Sequence, residues 1–162
     1  MRVAVVADTH LPRGSRRLPE ACVEELRRAD AILHAADLTG LSFLEQLRAF
    51  GPPVDAVAGN IDEPAVRELL PEELVVALSG HRIGLVHNAG PRAGREARLL
   101  ARFPGCAAIV YGHTHVPQLE RHAGIWIVNP GSPTVRRRSP FRSLAVLELG
   151  AAGMDARLVE LG

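Results

Sequence analysis

The chain contains no lysine, because all 19 of its basic residues are arginine. This absence excludes a lysine Schiff base, a lysine general base and a phosphate-binding loop that depends on lysine. Any catalytic chemistry must use other groups, and a cationic side chain that binds an anion must be arginine or protonated histidine.

Long apolar runs and paired cysteine motifs are also missing. The only early apolar run, residues 3–7, is broken by Asp8 and is far shorter than a signal peptide or a membrane span requires. Cys22 and Cys106 lack CxxC spacing, so we interpret them as small core residues. These absences predict a cytoplasmic protein that does not bind membranes.

The composition that is present is typical of a compact globular protein. The chain has 162 residues, 47% of them apolar, without repeats or low-complexity segments. This length predicts one domain over residues 1–162. The formal charge of +1 gives no indication of nucleic-acid binding, and homo-oligomerisation is left open.

Strand and helix patterns alternate in the first half of the chain. Strand patterns cover residues 2–7, 31–35 and 54–59, and helix patterns cover residues 18–29, 42–50 and 63–70. The second helix begins with a capping-box pattern, Ser42 with Glu45. This order predicts parallel βαβ units.

The second half is richer in strands. One helix pattern covers residues 94–103, and the strand patterns cover 74–78, 82–86, 107–111, 118–122, 125–129, 143–149 and 154–161. Several are joined by short glycine-containing turns, which indicate antiparallel pairs. About ten strands and four helices predict an α/β fold with two packed sheets and the helices outside them.

Residues that commonly bind metal ions follow five of these strands. They are Asp8, His10, Asp37, Asn60, His87, His113 and His115. Ligand sites of α/β sheets form at the carboxyl ends of strands, so we expect these side chains to meet. In extended chain, residues i and i+2 point to one side, so each pair in DTH and HTH is expected to bind one site. We interpret His34, His81 and His122 as structural.

The composition of this set predicts two divalent ions. Four imidazoles, two carboxylates and one amide are too many donors for one tetrahedral zinc and too rich in nitrogen for calcium or magnesium. Mn²⁺ is the expected ion, with Ni²⁺, Fe²⁺, Co²⁺ and Zn²⁺ left open. Two ions about 3.5–4 Å apart, bridged by a carboxylate, favour an anionic phosphate ester and attack by a metal-bound hydroxide.

The sequence resembles the calcineurin-like metallophosphoesterases, in particular their small bacterial and archaeal phosphodiesterase-like branch. The resemblance rests on the ordered motifs DTH, AADL, GNID, LVHN, GHTH and NPGS within residues 1 to about 135. It implies a four-layer αββα sandwich of two mixed sheets with a dinuclear site. It also implies that Asp37 bridges the ions, that Asp8, His10 and His115 complete one, and that Asn60, His87 and His113 complete the other. Asp37, Asn60 and His87 are thereby the catalytic candidates.

Three positions depart from the family pattern. Ala36 replaces the usual glycine before the bridging aspartate, and Asn88 follows His87 where the small branch commonly has glycine. Ile61 replaces a histidine that helps the leaving group in many members. Because isoleucine cannot donate a proton, leaving-group assistance must come from metal, water or another residue.

Arginines cluster beside two of the motifs. Arg13, Arg16 and Arg17 follow DTH, and Arg136, Arg137, Arg138 and Arg142 follow NPGS. Each is either a solvated surface charge or a bidentate phosphate contact. Asn88, Arg13, Arg136 and Arg137 are the candidates for substrate binding.

The function predicted from these residues and this resemblance is metal-dependent hydrolysis of a small phosphodiester. A phosphomonoesterase or nucleotide phosphatase is the alternative enzyme. A non-catalytic scaffold on the same fold is the alternative outside enzymes, although such a scaffold is expected to have an incomplete metal site.

Overall fold

The computed structural model describes residues 1–162 and contains ten strands and four helices, as predicted. In chain order they are β1 (Arg2–Val6), α1 (Glu20–Arg27), β2 (Ala31–His34), α2 (Leu41–Arg48), β3 (Val54–Ala56), α3 (Pro64–Leu69), β4 (Glu73–Leu78), β5 (His81–Val86), α4 (Arg95–Arg102), β6 (Ala108–Tyr111), β7 (Gln118–His122), β8 (Ile125–Asn129), β9 (Ser143–Gly150) and β10 (Gly153–Glu160). The largest boundary difference is at β3, which ends three residues earlier than its predicted end at position 59.

The strands form two mixed five-stranded sheets. The first has the order β10-β9-β1-β2-β3, and the second has the order β4-β5-β6-β8-β7. The parallel groups are β1, β2 and β3 in the first sheet and β5, β6 and β8 in the second. The β4–β5, β7–β8 and β9–β10 pairs are antiparallel, as the short connections predict.

Three apolar clusters hold the layers together. Alternate residues of β1 show the arrangement, since Val3 and Val5 lie between the sheets whereas Ala4 and Val6 lie beneath the helices. Helices α1, α2 and α3 cover the first sheet, and α4 covers the second through Leu99. The predicted four-layer αββα sandwich is therefore confirmed.

One local prediction is wrong. Helix α2 begins at Leu41, its N-cap is Gly40, and no side chain caps it. The Gly40 carbonyl accepts the first helical hydrogen bond, from Phe43 N at 3.0 Å. Ser42 is thus already inside the helix and exposed to solvent, where it cannot form a capping box with Glu45.

The structure also bears on the cysteines, which lack a paired motif, and on the lack of long apolar runs in the sequence. Cys22 and Cys106 are both buried free thiols, as expected of small core residues. None of the four helices has the length and apolar character needed to cross a membrane.

Candidate metal centre

The carboxyl ends of β1, β2, β3, β5 and β6 bring all seven predicted residues together. Within each sheet these strands run parallel, so the loops after them leave from the same edge. Backbone pairing continues into the loops after β1 and β2: Asp8 N donates to Ala36 O at 3.0 Å and His10 N donates to Asp37 O at 2.9 Å. These hydrogen bonds fix the two loops against each other.

The two sheets approach closely at Gly112. A Cβ added there would lie 2.7 Å from the Ala35 carbonyl oxygen and 3.0 Å from Asp8 Oδ2. Every residue larger than glycine would therefore separate the loop after β6 from the loops after β1 and β2. The glycine of GHTH is needed to complete the site.

The site backbone is not extended, contrary to the prediction for DTH and HTH. Five of the seven residues have positive φ: Asp8 (54°), His10 (50°), Asp37 (51°), His113 (70°) and His115 (60°). Such conformations cost about 1–3 kcal/mol each in non-glycine residues and concentrate at functional sites. Asp8 and His10 still reach one cluster, whereas the turns send His113 and His115 to different clusters.

The backbone conformation at Ala36 shows why the family usually has glycine at this position. Its φ is 73°, a left-handed conformation that glycine adopts without a Cβ clash and that costs an alanine about 1–2 kcal/mol. The departure from the family pattern therefore leaves the loop shape intact at a modest energetic cost.

The first cluster contains Asp8, His10 and His115, all buried. The Nε2 atoms of the two histidines are 3.1 Å apart, and His115 Nε2 lies 3.4 Å from Asp8 Oδ1. Both Asp8 carboxylate oxygens are fully buried and neither has a hydrogen-bond partner. A buried carboxylate of this kind is costly unless a cation binds it.

The second cluster contains Asp37, Asn60, His87 and His113. Nε2 of His87 lies 3.0 Å from Asn60 Oδ1, 3.2 Å from Asp37 Oδ2 and 3.2 Å from His113 Nδ1. Asn60 is exposed and His113 is partly exposed. This cluster is therefore the more accessible of the two.

The separations of the donor atoms suit one divalent ion per cluster. Ligand atoms about 2.0–2.1 Å from a common ion lie roughly 2.8–3.4 Å apart when they are neighbours in octahedral or tetrahedral geometry, and about 4 Å apart when they are opposite in an octahedron. The longest separation in the first cluster, 4.0 Å between His10 Nε2 and Asp8 Oδ1, fits the second case. Two histidines are also oriented by their second ring nitrogen, because His87 Nδ1 donates to Ala35 O at 3.1 Å and His115 Nδ1 donates to Val135 O at 2.8 Å. A backbone carbonyl in this role is typical of metal-binding histidine.

Burial and mutual charge set the protonation of the ligands. Burial raises the pKa of Asp8 to about 7, and it is the main cause that lowers the pKa of His10 and of His115 to about 4. Burial opposes the shifts in the Asp37–His87 pair, but their hydrogen bond lowers the pKa of Asp37 and raises that of His87. His10 and His115 are thus neutral at pH 7, as metal ligands must be.

Asp62 is a residue of the site that sequence reasoning missed. It is buried, and its carboxylate accepts hydrogen bonds from Thr39 N and Gly59 N, each at 2.7 Å. It thereby ties the loop after Asp37 to the loop before Asn60. Its place in GNID was the only available signal, because a loop aspartate is ordinarily a turn former.

The NPGS motif, together with Thr134 two residues after it, forms hydrogen bonds to the backbone of the DTH and GHTH loops. Ser132 Oγ donates to Asp8 O at 2.8 Å, and Thr134 Oγ1 donates to Thr9 O at 2.7 Å. Asn129 Nδ2 donates to Gly112 O at 3.0 Å. The motif therefore connects the DTH and GHTH loops without supplying a residue to either cluster.

The histidines interpreted as structural lie outside both clusters. His34 is fully buried, its Nε2 is 3.0 Å from Thr9 Oγ1, and burial lowers its pKa to about 3. His81 Nε2 is 2.9 Å from Gly150 O. His122 contacts Glu120 in a separate surface group.

The four candidates for substrate binding occupy different places. Asn88 lines a cavity of about 320 Å³ beside the second cluster, and Arg137 lines another of about 700 Å³. Arg13 and Arg136 line neither cavity, and Arg136 donates instead to Pro140 O at 3.1 Å.

Replacing Asp8 with asparagine should stabilise the metal-free protein and greatly reduce its stabilisation by metal. At pH 8 in chelator we expect a gain of roughly 1–3 kcal/mol in the free energy of unfolding, because a buried ionised carboxylate is removed. The folded-state pKa of about 7 exceeds the ordinary value of 3.8. The stabilising contribution of protonated Asp8 is therefore complete below pH 4 and is lost as the pH rises through 7.

Urea unfolding of both proteins at pH 5 and pH 8, with chelator and with Mn²⁺, checks this prediction. The gain should be smaller at pH 5, and Mn²⁺ should stabilise the natural protein much more than the variant. Equal unfolding free energies in chelator at pH 8, or equal stabilisation by Mn²⁺, would contradict a metal role for Asp8.

Known proteins are similar to this chain along most of its length. Residues 1–152 match the family described as the calcineurin-like phosphoesterase superfamily domain. A probable metallophosphoesterase of Methanothermobacter thermautotrophicus is 34% identical, covering 100% of this chain and 94% of the relative. Another, of Methanocaldococcus jannaschii, is 33% identical over 99% of this chain and 82% of the relative.

A solved structure with the same fold is Vps29 of Entamoeba histolytica, complexed with Zn²⁺. It superposes with a TM-score of 0.77 and 24% identity, and all of both chains is covered. At this identity the likeness establishes the fold alone.

Proposed function

Because the chain belongs to the calcineurin-like phosphoesterase superfamily, we propose that it is a phosphodiesterase that uses two divalent ions, with Mn²⁺ as the working ion. Membership supports the broader statement that it is a metal-dependent hydrolase of phosphoric esters. The preference for diesters, the use of two ions and the choice of Mn²⁺ are the proposed parts.

The observation that carries the proposal is a pair of donor clusters, each with the spacing of one ion's ligands, on loops that are hydrogen-bonded to each other through Asp8 N with Ala36 O and His10 N with Asp37 O. The unpartnered Asp8 carboxylate supports it independently, since a bound cation would remove the cost of burying that charge. When bound, two ions would activate water near neutral pH and give the site a net positive charge for phosphoryl oxygens.

The chain's own residues hold the groups in place. Asp37 is oriented from two sides, because Oδ1 accepts from Ile61 N at 3.1 Å and Oδ2 faces His87 Nε2. Asn60 and His113 form the exposed side of the second cluster, where a substrate can enter. Ile61 takes part through its backbone amide, and its side chain has no proton to give to a leaving group.

Two cavities that meet at His113 favour a diester over a monoester. One contains Asn60, His87 and Asn88, and the other contains Arg137 and Gln118, with His113 lining both. A phosphodiester has two ester groups to place, one on each side of the phosphorus. A monoester has one and would leave a cavity unused.

The test compares bis-p-nitrophenyl phosphate with p-nitrophenyl phosphate, which share a leaving group that needs no protonation. With Mn²⁺ we expect kcat/KM for the diester to be at least about tenfold higher. A higher value for the monoester would contradict the diester preference and favour the phosphomonoesterase alternative.

The scaffold alternative makes a different prediction for the same assay. If the protein is a non-catalytic scaffold, neither ester should show hydrolysis that Mn²⁺ stimulates and chelator abolishes. The completeness of both clusters supports the enzyme, because a scaffold has no need to keep a buried carboxylate unpartnered at a cost to stability.

A further inference from the structure

Four arginines line the cavity of about 700 Å³ beside His113, which we call the arginine cleft. They are Arg92, Arg95, Arg137 and Arg138. Arg92 and Arg95 come from the segment that enters α4, whereas Arg137 and Arg138 come from the loop after β8. Segments far apart in sequence therefore place guanidinium groups around one space next to the metal centre.

The acidic residues of the arginine cleft are already engaged. Glu96 Oε1 accepts from Gln118 Nε2 at 2.9 Å, and Glu120 Oε2 lies 3.1 Å from His122 Nε2. Two carboxylates face four guanidinium groups, so the cleft keeps an excess of positive charge.

Two of the arginines are fixed and two are free. Arg95 donates to Tyr111 Oη at 3.1 Å and to Gly90 O at 3.3 Å, and Arg137 donates to His113 O at 3.3 Å. The exposed side chains of Arg92 and Arg138 make no hydrogen bond to protein. A ligand in the cleft would thus meet two positioned cations and two that can close on it.

The cavity on the other side of His113 is less positive. It contains Arg67 and Arg102 with Glu72, and Arg102 Nε already pairs with Glu73 Oε2 at 2.5 Å. The two sides of the second cluster therefore differ in charge. An anionic group on the substrate would therefore bind more favourably in the arginine cleft than in this cavity.

We propose that the arginine cleft binds a second phosphate group of the substrate. The preferred substrate class is then a phosphodiester whose retained part carries a further phosphate, while the leaving group occupies the less charged cavity. Guanidinium groups suit this role because they pair with phosphate oxygens in bidentate fashion. This inference rests on the proposed phosphodiesterase function.

Two matched esters test the inference by turnover. Thymidine 5′-(p-nitrophenyl phosphate) and its 3′-phosphorylated form have the same leaving group and differ only in the additional phosphate. With Mn²⁺ at about 0.1 M salt we expect KM to be about tenfold lower for the phosphorylated ester, because one or two charge-assisted hydrogen bonds are gained. In the double variant Arg92→Gln/Arg138→Gln the ratio of the two KM values should fall to about two.

A control variant separates a local effect from net charge. Arg28→Gln/Arg48→Gln removes the same number of charges from exposed positions at the C-terminal ends of α1 and α2. It should keep the tenfold preference. Loss of the preference in this control, or its persistence in the cleft variant, would overturn the inference.

A binding measurement tests the phosphate site independently of turnover. By titration calorimetry, thymidine 3′,5′-bisphosphate should bind about tenfold more tightly than thymidine 5′-monophosphate, and the cleft variant alone should lose this difference. If neither ester is hydrolysed but this binding pattern appears, the proposed function fails and the phosphate site stands. Equal binding of the two nucleotides by the natural protein would overturn the site, whatever the turnover.

Discussion

Asp37→Asn is expected to lower kcat/KM for bis-p-nitrophenyl phosphate at least about 1,000-fold. Loss of a supporting partner of a metal ligand already costs about 10–100-fold, and a ligand proposed to serve both ions should cost more. Asp37 Oδ2 lies 3.2 Å from His87 Nε2, and hydrogen bonding to His87 helps to hold the pKa of Asp37 below its ordinary value. The Asp37 side chain is therefore ionised at neutral pH, and an amide in its place would bridge two cations poorly.

The matched control is Asp155→Asn, which changes an exposed carboxylate on β10 in the same way. It should leave kcat/KM within about twofold of the natural value. Metal content and the unfolding midpoint of both variants show whether the protein is still folded. Activity retained by a folded Asp37→Asn protein would place the bridging group elsewhere.

Gly59→Ala should disrupt the second cluster although it adds only a methyl group. The new Cβ would lie 2.6 Å from Asp37 N and still closer to Asp37 Oδ1. A shift of position 59 would disturb the hydrogen bond from its amide to Asp62 Oδ2, and a shift of Asp37 would disturb the hydrogen bond from His10 N to Asp37 O. We expect a loss of at least about 100-fold in kcat/KM, and overpacking should cost about 1–3 kcal/mol in the free energy of unfolding.

Gly150→Ala provides the comparison for this prediction. It also adds one methyl group, but the nearest atom, Gly153 O, lies at an ordinary 3.7 Å. Kinetics and urea unfolding of the two variants should show a large effect at position 59 and almost none at position 150. Natural activity in Gly59→Ala would mean that the loops around Asp37 have room that the structure does not show.

Much of the architecture could be predicted because it depends on periodic patterns. Both faces of β1 are buried, so its unbroken apolar run indicates an inner strand of a layered α/β fold. The seven ligand candidates could be found because parallel strands bring their carboxyl ends to one edge. Their residue types then indicate metal binding without any knowledge of distances.

Loop geometry could not be predicted in the same way. The positive φ values of His113 and His115 send neighbouring side chains to different clusters, and no two-residue periodicity encodes that turn. The capping-box prediction was wrong because the N-cap of α2 is Gly40, two residues before Ser42. Local patterns describe regular elements well, but a loop conformation is determined by the segments that pack against it.

The arginines show the same limitation at longer range. Sequence clustering drew attention to Arg137 and Arg138, which line the arginine cleft, and to Arg13 and Arg136, which line neither cavity, but it passed over Arg92 and Arg95. Proximity to a motif in sequence is an incomplete guide here, because the arginine cleft is assembled from two segments about 40 residues apart.

The most direct test of the central claim is to add Mn²⁺ back to metal-free protein while following both bound metal and hydrolysis of bis-p-nitrophenyl phosphate. A dinuclear phosphodiesterase should bind two ions per chain and reach full activity only as the second binds, with no turnover in chelator. Undiminished turnover in chelator, or two bound ions with no hydrolysis of the diester or the monoester, would contradict it.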